Sequence, residues 1–217
     1  MIRKIIRKIL RIRKSETIPD GINRHFIKIK SIFDSRQVSL EEISQVFDNL
    51  GVKNGDTIIV HSSWRGLYAL KASPQEVINL LIEKVGKDGT IIMPSSTNNK
   101  LFLDVKESRS FSGVLSEVFR NYPDVERSEF PDSPMIGLGK NANNILKYHI
   151  NSRYTFDYSS PYFLSMNDYN AKVLLLGMGK KPHKISVFHL ATYNNRNHEN
   201  YKNVFKKKYE SNCHREK

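Results

Sequence analysis

One cysteine in 217 residues, Cys213, leaves no pair for an intramolecular disulfide. A lone thiol in a polar tail fits a reducing compartment, and the fold has to be held by its core. No stretch approaches the roughly 18 consecutive apolar residues that a membrane-spanning helix requires. The N-terminus also lacks the uninterrupted apolar core of a secretory signal, so a cytoplasmic location is expected. There is no P-loop, no dinucleotide glycine fingerprint and no internal repeat. His183, His189 and His198 are irregularly spaced and have no companion cysteines, so no metal site is expected. Cations cluster at both ends, but without a recognised nucleic-acid motif or interleaved aromatics; nucleic acid is not an expected partner.

What is present is a globular composition, 39% hydrophobic and 26% charged, of a length that suits one well-buried domain. The formal charge of +13 is unevenly spread. Arg3, Lys4, Arg7, Lys8, Arg11, Arg13 and Lys14 carry seven of those charges, so the body of the protein is only moderately basic. In the same segment Ile2, Ile5, Ile6, Ile9 and Ile12 recur at helical spacing, which predicts a basic amphipathic helix over residues 1–14. Such a helix suits peripheral contact with an anionic membrane, here the inner face of the cytoplasmic membrane; packing on its own domain and a nucleic-acid patch are the competing readings. The expected organisation is this helix with a linker over residues 1–20, an α/β domain over 21–200 and a basic polar tail over 201–217. Pro19 and Asp20-Gly21 mark a turn in the linker.

Along the domain, Ser39 and Glu42 form a capping box ahead of the apolar face Leu40, Ile43, Val46, Phe47 and Leu50, and Gly51 stops that helix. Asn54-Gly55-Asp56 turns into a β-branched run, Thr57 to Val60, read as a buried strand that opens into His61-Ser62-Ser63. Ser73-Pro74-Gln75-Glu76 starts a second helix with Val77, Leu80, Leu81 and Val85 inside, ended by Gly86. Thr90 to Pro94 is a second buried strand leading to Ser95-Ser96-Thr97. Strand, helix and strand of these lengths predict a βαβ unit, with both polar loops at one sheet edge. A helix over 112–120 burying Val114, Leu115, Val118 and Phe119, a polar loop over 127–134, a helix near 141–149 and a turn at Ser159-Ser160-Pro161 follow. Lys172 to Gly177 is a third strand, apolar throughout and expected to be central. The fold class is therefore a single-domain α/β protein with a mostly parallel central sheet flanked by helices. In such sheets ligands bind beyond the carboxyl ends of the strands, which selects the loop at His61-Ser62-Ser63 and the segment leading to His189.

VHSS with Gly66, GTIIMP, ERSEFPDSPMIGLG, SSPYFL, KVLLLGMG and FHLA stand in an order and spacing that resembles the aminoglycoside 3-N-acetyltransferase family over roughly residues 40–193. The resemblance implies an α/β fold that binds acetyl-CoA and transfers acetyl directly to the amine of a small molecule, an aminoglycoside or amino sugar. It gives His189 the part of the base that takes the proton from the attacking nitrogen, a task suited to an imidazole. It places His61, Ser62, Ser63, Trp64 and Gly66 in the cofactor loop, where hydroxyls and backbone N–H groups can polarise a thioester carbonyl. Arg65 could pair with a CoA phosphate, and Ser95, Arg127 and Ser128 complete the expected cofactor set. N-capping for the serines and loop anchoring for Arg127 remain open as structural readings.

Three departures from the family pattern bear on the acceptor. Phe130 stands where the family loop has histidine. Thr192 replaces the glutamate three residues after the base, and threonine cannot hold a polycationic amine by charge; Thr192 and Asp157 are the substrate-side candidates, with Glu199 as another possible replacement. Family members usually continue well past this motif, whereas 24 residues follow Tyr193 here. That implies an abbreviated acceptor side or a truncated coding sequence. The alternative function is a degenerate relative that binds CoA or a partner without catalysis.

Overall fold

The computed structural model describes residues 2–12, 17–33, 36–99, 101–179 and 186–200. The features expected at residues 13–16, His183, 206–208 and Cys213 lie outside these. Helices α1 (Ile2–Ile9) and α2 (Ile18–Phe33) precede α3 (Leu40–Asn49), which leads into β1 (Thr57–Ser62). A 3-10 turn, Trp64–Leu67, follows, then α4 (Pro74–Val85), β2 (Thr90–Pro94), α5 (Val114–Arg120), β3 (Glu126–Arg127) and β4 (Met135–Gly139). The chain continues through α6 (Ala142–Leu146), α7 (Pro161–Asn167), β5 (Lys172–Leu176) and α8 (Ser186–Asn194). No described helix is long and apolar enough to cross a membrane.

Both capping boxes form. Ser39 Oγ accepts the Glu42 N–H while the Glu42 carboxylate accepts the Ser39 N–H, and Ser73 and Glu76 repeat the arrangement, with Pro74 opening α4. The sheet order is β3-β4-β2-β1-β5. β1 pairs in parallel with both β2 and β5, so the carboxyl ends of these three strands share an edge. β4 pairs antiparallel with β2, and β3 with β4, which makes the sheet mixed. Alternation along β1 divides the core. Ile58 and Val60 pack with residues of α3, α4 and α5 on one face, and Ile59 packs with Ile145, Leu146 and Tyr162 of α6 and α7 on the other.

Four expectations need correction. β5 is the edge strand of the described sheet rather than a central one, and Leu175 is 37% exposed. The turn expected at Pro19-Asp20-Gly21 is the first turn of α2: proline is tolerated there because its missing N–H has no intrahelical partner to lose. Gly21 belongs in that helix because Ile12 packs where a Cβ would stand. Ser160-Pro161 is a helix start rather than a free turn, with Ser160 Oγ accepting the Phe163 N–H, whereas the loop expected over 127–134 is present as the link between β3 and β4, with only Arg127 in a strand. In α5 the buried apolar residues are Leu115 and Phe119, while Val114 is exposed.

Candidate active site

The loop after β1 begins where the strand's alternation ends. Ser63 N–H donates to the Leu176 carbonyl (2.8 Å), tying this loop to the end of β5. Gly66 is required three residues on, because a Cβ there would collide with the Gly177 carbonyl oxygen. Backbone therefore touches backbone between the loops after β1 and β5. Ser62 and Ser63 are half-buried at this edge, and Ser63 makes no side-chain cap to the 3-10 turn, which removes the N-capping explanation for that hydroxyl. Trp64 packs against the core on the α3 and α4 side, and Arg65 is exposed. Arg65 joins Arg24, Lys28 and Tyr68 in lining a groove of about 480 Å³ between α2 and the 3-10 turn.

His61 does not sit with the serines. It is odd-numbered in the strand, like Ile59, and so points to the α7 face, where it is 7% exposed and lies parallel to the Tyr162 ring at 6.1 Å. Burial lowers its pKa, and its Nε2 has no hydrogen-bond partner. His61 is a packed, neutral imidazole, and the expectation that it is presented to a cofactor fails on that burial. The stack continues: Phe156 lies 5.1 Å from Tyr162, and His189 lies 5.5 Å from Phe156 at an interplanar angle of 26°. His61 and His189 thus share one side of the sheet, with two aromatic rings between them. Tyr162 and Phe156 fill the space between the two imidazoles.

His189 is exposed on α8, and its seat is built from α7 and the loop before it. Tyr162 is fully buried, with its pKa pushed up to about 12 by that burial, and it forms a side-chain hydrogen bond with Ser186, the first residue of α8. Asp157 organises the preceding loop. Its Oδ1 accepts from the Ser152 hydroxyl and the Ser159 N–H, and its Oδ2 from the Arg153 and Tyr154 N–H groups. Tyr154, Phe156 and Tyr158, held by this loop, all pack on α8 residues. With four acceptances and 8% exposure, Asp157 has no lone pair to offer an acceptor amine; its role is to position α8. Thr192 Oγ1 donates to the Phe188 carbonyl (2.7 Å), so it does not orient the imidazole.

The remaining expected residues lie deeper. Ser95 is fully buried, and its carbonyl accepts Arg127 Nη2 at 2.6 Å. Arg127 also donates to the Ser108 carbonyl, and desolvation lowers its pKa to about 10. Its Nη donors fasten the 104–110 loop to the end of β2, which is the anchoring reading, while Nε is buried without a partner. Ser128 Oγ accepts the Met135 N–H (2.8 Å) and bonds His149 Nδ1 (2.8 Å). His149, fully buried with Phe130 at 4.8 Å, has its pKa lowered to about 4 by burial, with Asp157 partly opposing. Tyr162, Phe156, Ser186 and His149 escaped the sequence reading, although the SSPYFL motif contains the first of them. Among the described residues no three His, Cys, Asp or Glu side chains converge as metal ligands.

The family model for aminoglycoside 3-N-acetyltransferase matches residues 59–216, most of the chain. The protein belongs to the aminoglycoside 3-N-acetyltransferase family. Within it, the chain is 29% identical over 134 residues to the SPbeta prophage-derived aminoglycoside N(3')-acetyltransferase-like protein YokD of Bacillus subtilis (strain 168), covering 50% of this chain and 49% of that protein. It is 30% identical over 146 residues to aminoglycoside N(3)-acetyltransferase IV of Salmonella sp, covering 66% and 54%. The chain thus spans about half the length of the curated family members it matches. The crystal structure of AAC(3)-IVa as apoenzyme superposes with a TM-score of 0.64 at 27% identity, over 75% of this chain and 64% of that one. AAC-VIa, solved with sisomicin bound, gives 0.64 at 25% identity over 72% and 65%.

Proposed function

We propose that this aminoglycoside 3-N-acetyltransferase relative transfers acetyl from acetyl-CoA directly to an amine of an aminoglycoside or amino sugar, with His189 as general base. The observation that carries the reading is the placement of His189: an exposed imidazole on a helix whose first residue is pinned by Tyr162, backed by the Phe156 ring. An ammonium has no lone pair. One of its protons passes to solvent as the amine binds; the imidazole then takes a second as the nitrogen forms the N–C bond at the thioester carbonyl, the C–S bond breaks, and that second proton passes on to the departing CoA sulfur, leaving a neutral amide. The half-buried Ser62 and Ser63 hydroxyls supply the donors for the carbonyl oxygen as it gains charge, since the Ser63 and Gly66 N–H groups already serve the Leu176 and Ser63 carbonyls. The cofactor set narrows to Ser62, Ser63, Trp64, Arg65 and Gly66, with Arg65 exposed to meet a phosphate; Ser95, Arg127 and Ser128 support the wall behind it.

The acceptor side rests on Thr192, which brings no charge beside His189. This favours a less cationic acceptor, an amino sugar, over a polycationic aminoglycoside. The test is calorimetric titration with acetyl-CoA followed by CoA-thiol release over a panel of both acceptor classes. His189→Ala should lower turnover by about 10²-fold or more, the usual scale for losing a general base. Absence of CoA binding at millimolar concentration, or turnover unchanged in His189→Ala, overturns the reading and leaves the non-catalytic relative in its place.

A further inference from the structure

The segment preceding the family domain is a packed hairpin with an apolar side that nothing described covers. Residues 10–12 end α1 against α2: His25 Nε2 donates to the Leu10 carbonyl (2.6 Å), and Arg24 Nη2 donates to the Arg11 carbonyl (2.9 Å), so the last carbonyls of α1 are satisfied by side chains of α2. Ile12 is buried against Gly21. α2 then has three sides. Gly21 and His25 meet α1, while Arg24, Ile27 and Lys28 line the groove against the 3-10 turn.

The third side carries Ile22, Phe26 and Ile29, at i, i+4 and i+7, adjacent to the side that meets α1 and turned away from Ile27. Together with Ile5 and Ile9 of α1 these side chains are between 43% and 73% exposed. Ordinary folding does not explain them. The hairpin is already closed by Ile12 and its caps, and α2 already has Ile27 toward the domain, yet five large apolar groups still face outward. The charges on α1 have one sign: Arg3, Lys4, Lys8 and Arg11 are exposed, and residues 1–14 contain no carboxylate.

We propose that the α1–α2 hairpin is a docking surface for an anionic lipid bilayer, with Ile5, Ile9, Ile22, Phe26 and Ile29 entering the headgroup boundary and the α1 cations meeting lipid phosphates. The charge complementarity selects this occupant. A second copy of the chain would bring its own cations against these, and a nucleic acid would leave the apolar stripe in water. The surface extends beyond the amphipathic segment of residues 1–14, because α2 contributes three of the five apolar groups. It stands apart from the acetyl-transfer reading and survives its failure.

The experiment is flotation of the full chain with vesicles of phosphatidylcholine alone and of phosphatidylcholine with an equal share of phosphatidylglycerol. The chain should float with the anionic vesicles and stay behind with the neutral ones. Raising salt from about 0.1 to 1 M should weaken binding without abolishing it, since screening removes only the charge part. Ile9→Asp with Phe26→Asp should reduce binding at least about tenfold while circular dichroism and size-exclusion volume stay unchanged. Lys4→Glu with Lys8→Glu, which leaves the apolar stripe whole, should lose the preference for anionic lipid. Absence of flotation overturns the proposal. So does binding insensitive to the two aspartates, which signals adhesion by charge alone, and so does a wild-type dimer that Phe26→Asp splits.

Discussion

Acid should weaken this fold through His149 in particular. The ring is fully buried, one nitrogen is bonded to Ser128, the other has no partner, and burial holds the pKa near 4 rather than 6.5. The unfolded chain therefore takes up a proton on this residue as pH falls through about 6.5, while the folded protein stays neutral there until about 4. Stability from this group is fully present above pH 6.5 and is lost on the way down. Linkage between those two values gives a loss of about 2 kcal/mol between pH 7 and pH 5, rising to about 3 kcal/mol near pH 4. Urea unfolding at pH 7 and pH 5 measures it, with His149→Gln as the comparison that cancels the contribution of other titrating groups. Wild type should lose about 2 kcal/mol more than the variant over that interval. Parallel losses, or an imidazole that titrates near 6.5 in the folded protein by NMR, would refute the reasoning.

Three further outcomes are expected. Asp157→Asn replaces an acceptor-only carboxylate by an amide, so at least two of its four donors go unsatisfied; about 2–3 kcal/mol of stability should disappear, with faster hydrogen exchange in α8 as the specific sign. Gly66→Ala forces a Cβ onto the Gly177 carbonyl, which should cost about 1–3 kcal/mol in urea unfolding and weaken acetyl-CoA binding, whereas an unchanged denaturation midpoint would show that the two loops are free to part. Thr192→Glu places a carboxylate one turn beyond His189; KM for a polycationic aminoglycoside should fall by roughly a few-fold at low salt and recover at high salt, as an exposed ion pair of up to about 1 kcal/mol requires.

The helices with capping boxes and the β-branched strands β1 and β2 were legible because each carries its signal within a few residues. Ser160-Pro161 holds the same start signal as Ser73-Pro74, yet it read as a turn because a second serine and the short α7 hid the helix behind it. β4, MIGLG, has two glycines in five residues, so its pairing with β2 is fixed by the partner strand rather than by its own propensity. The run Val173 to Leu176 is apolar enough for a central strand, but apolarity reports burial against something and not sheet order; Leu175 faces outward at the edge. His61 was assigned to the loop by its polarity, although the period of two already places it with Ile59 on the buried face. The seat of His189 had no local signal at all. It is assembled from Asp157, Phe156 and Tyr162, residues some 30 positions earlier, through contacts that only the folded chain brings together.

The contact between Gly66 and Gly177 gives the two halves of the site a shared hinge pin. A displacement of Gly66 must displace the Gly177 carbonyl, and Ser63 is bonded to Leu176 beside it, so the ends of β1 and β5 are obliged to move together.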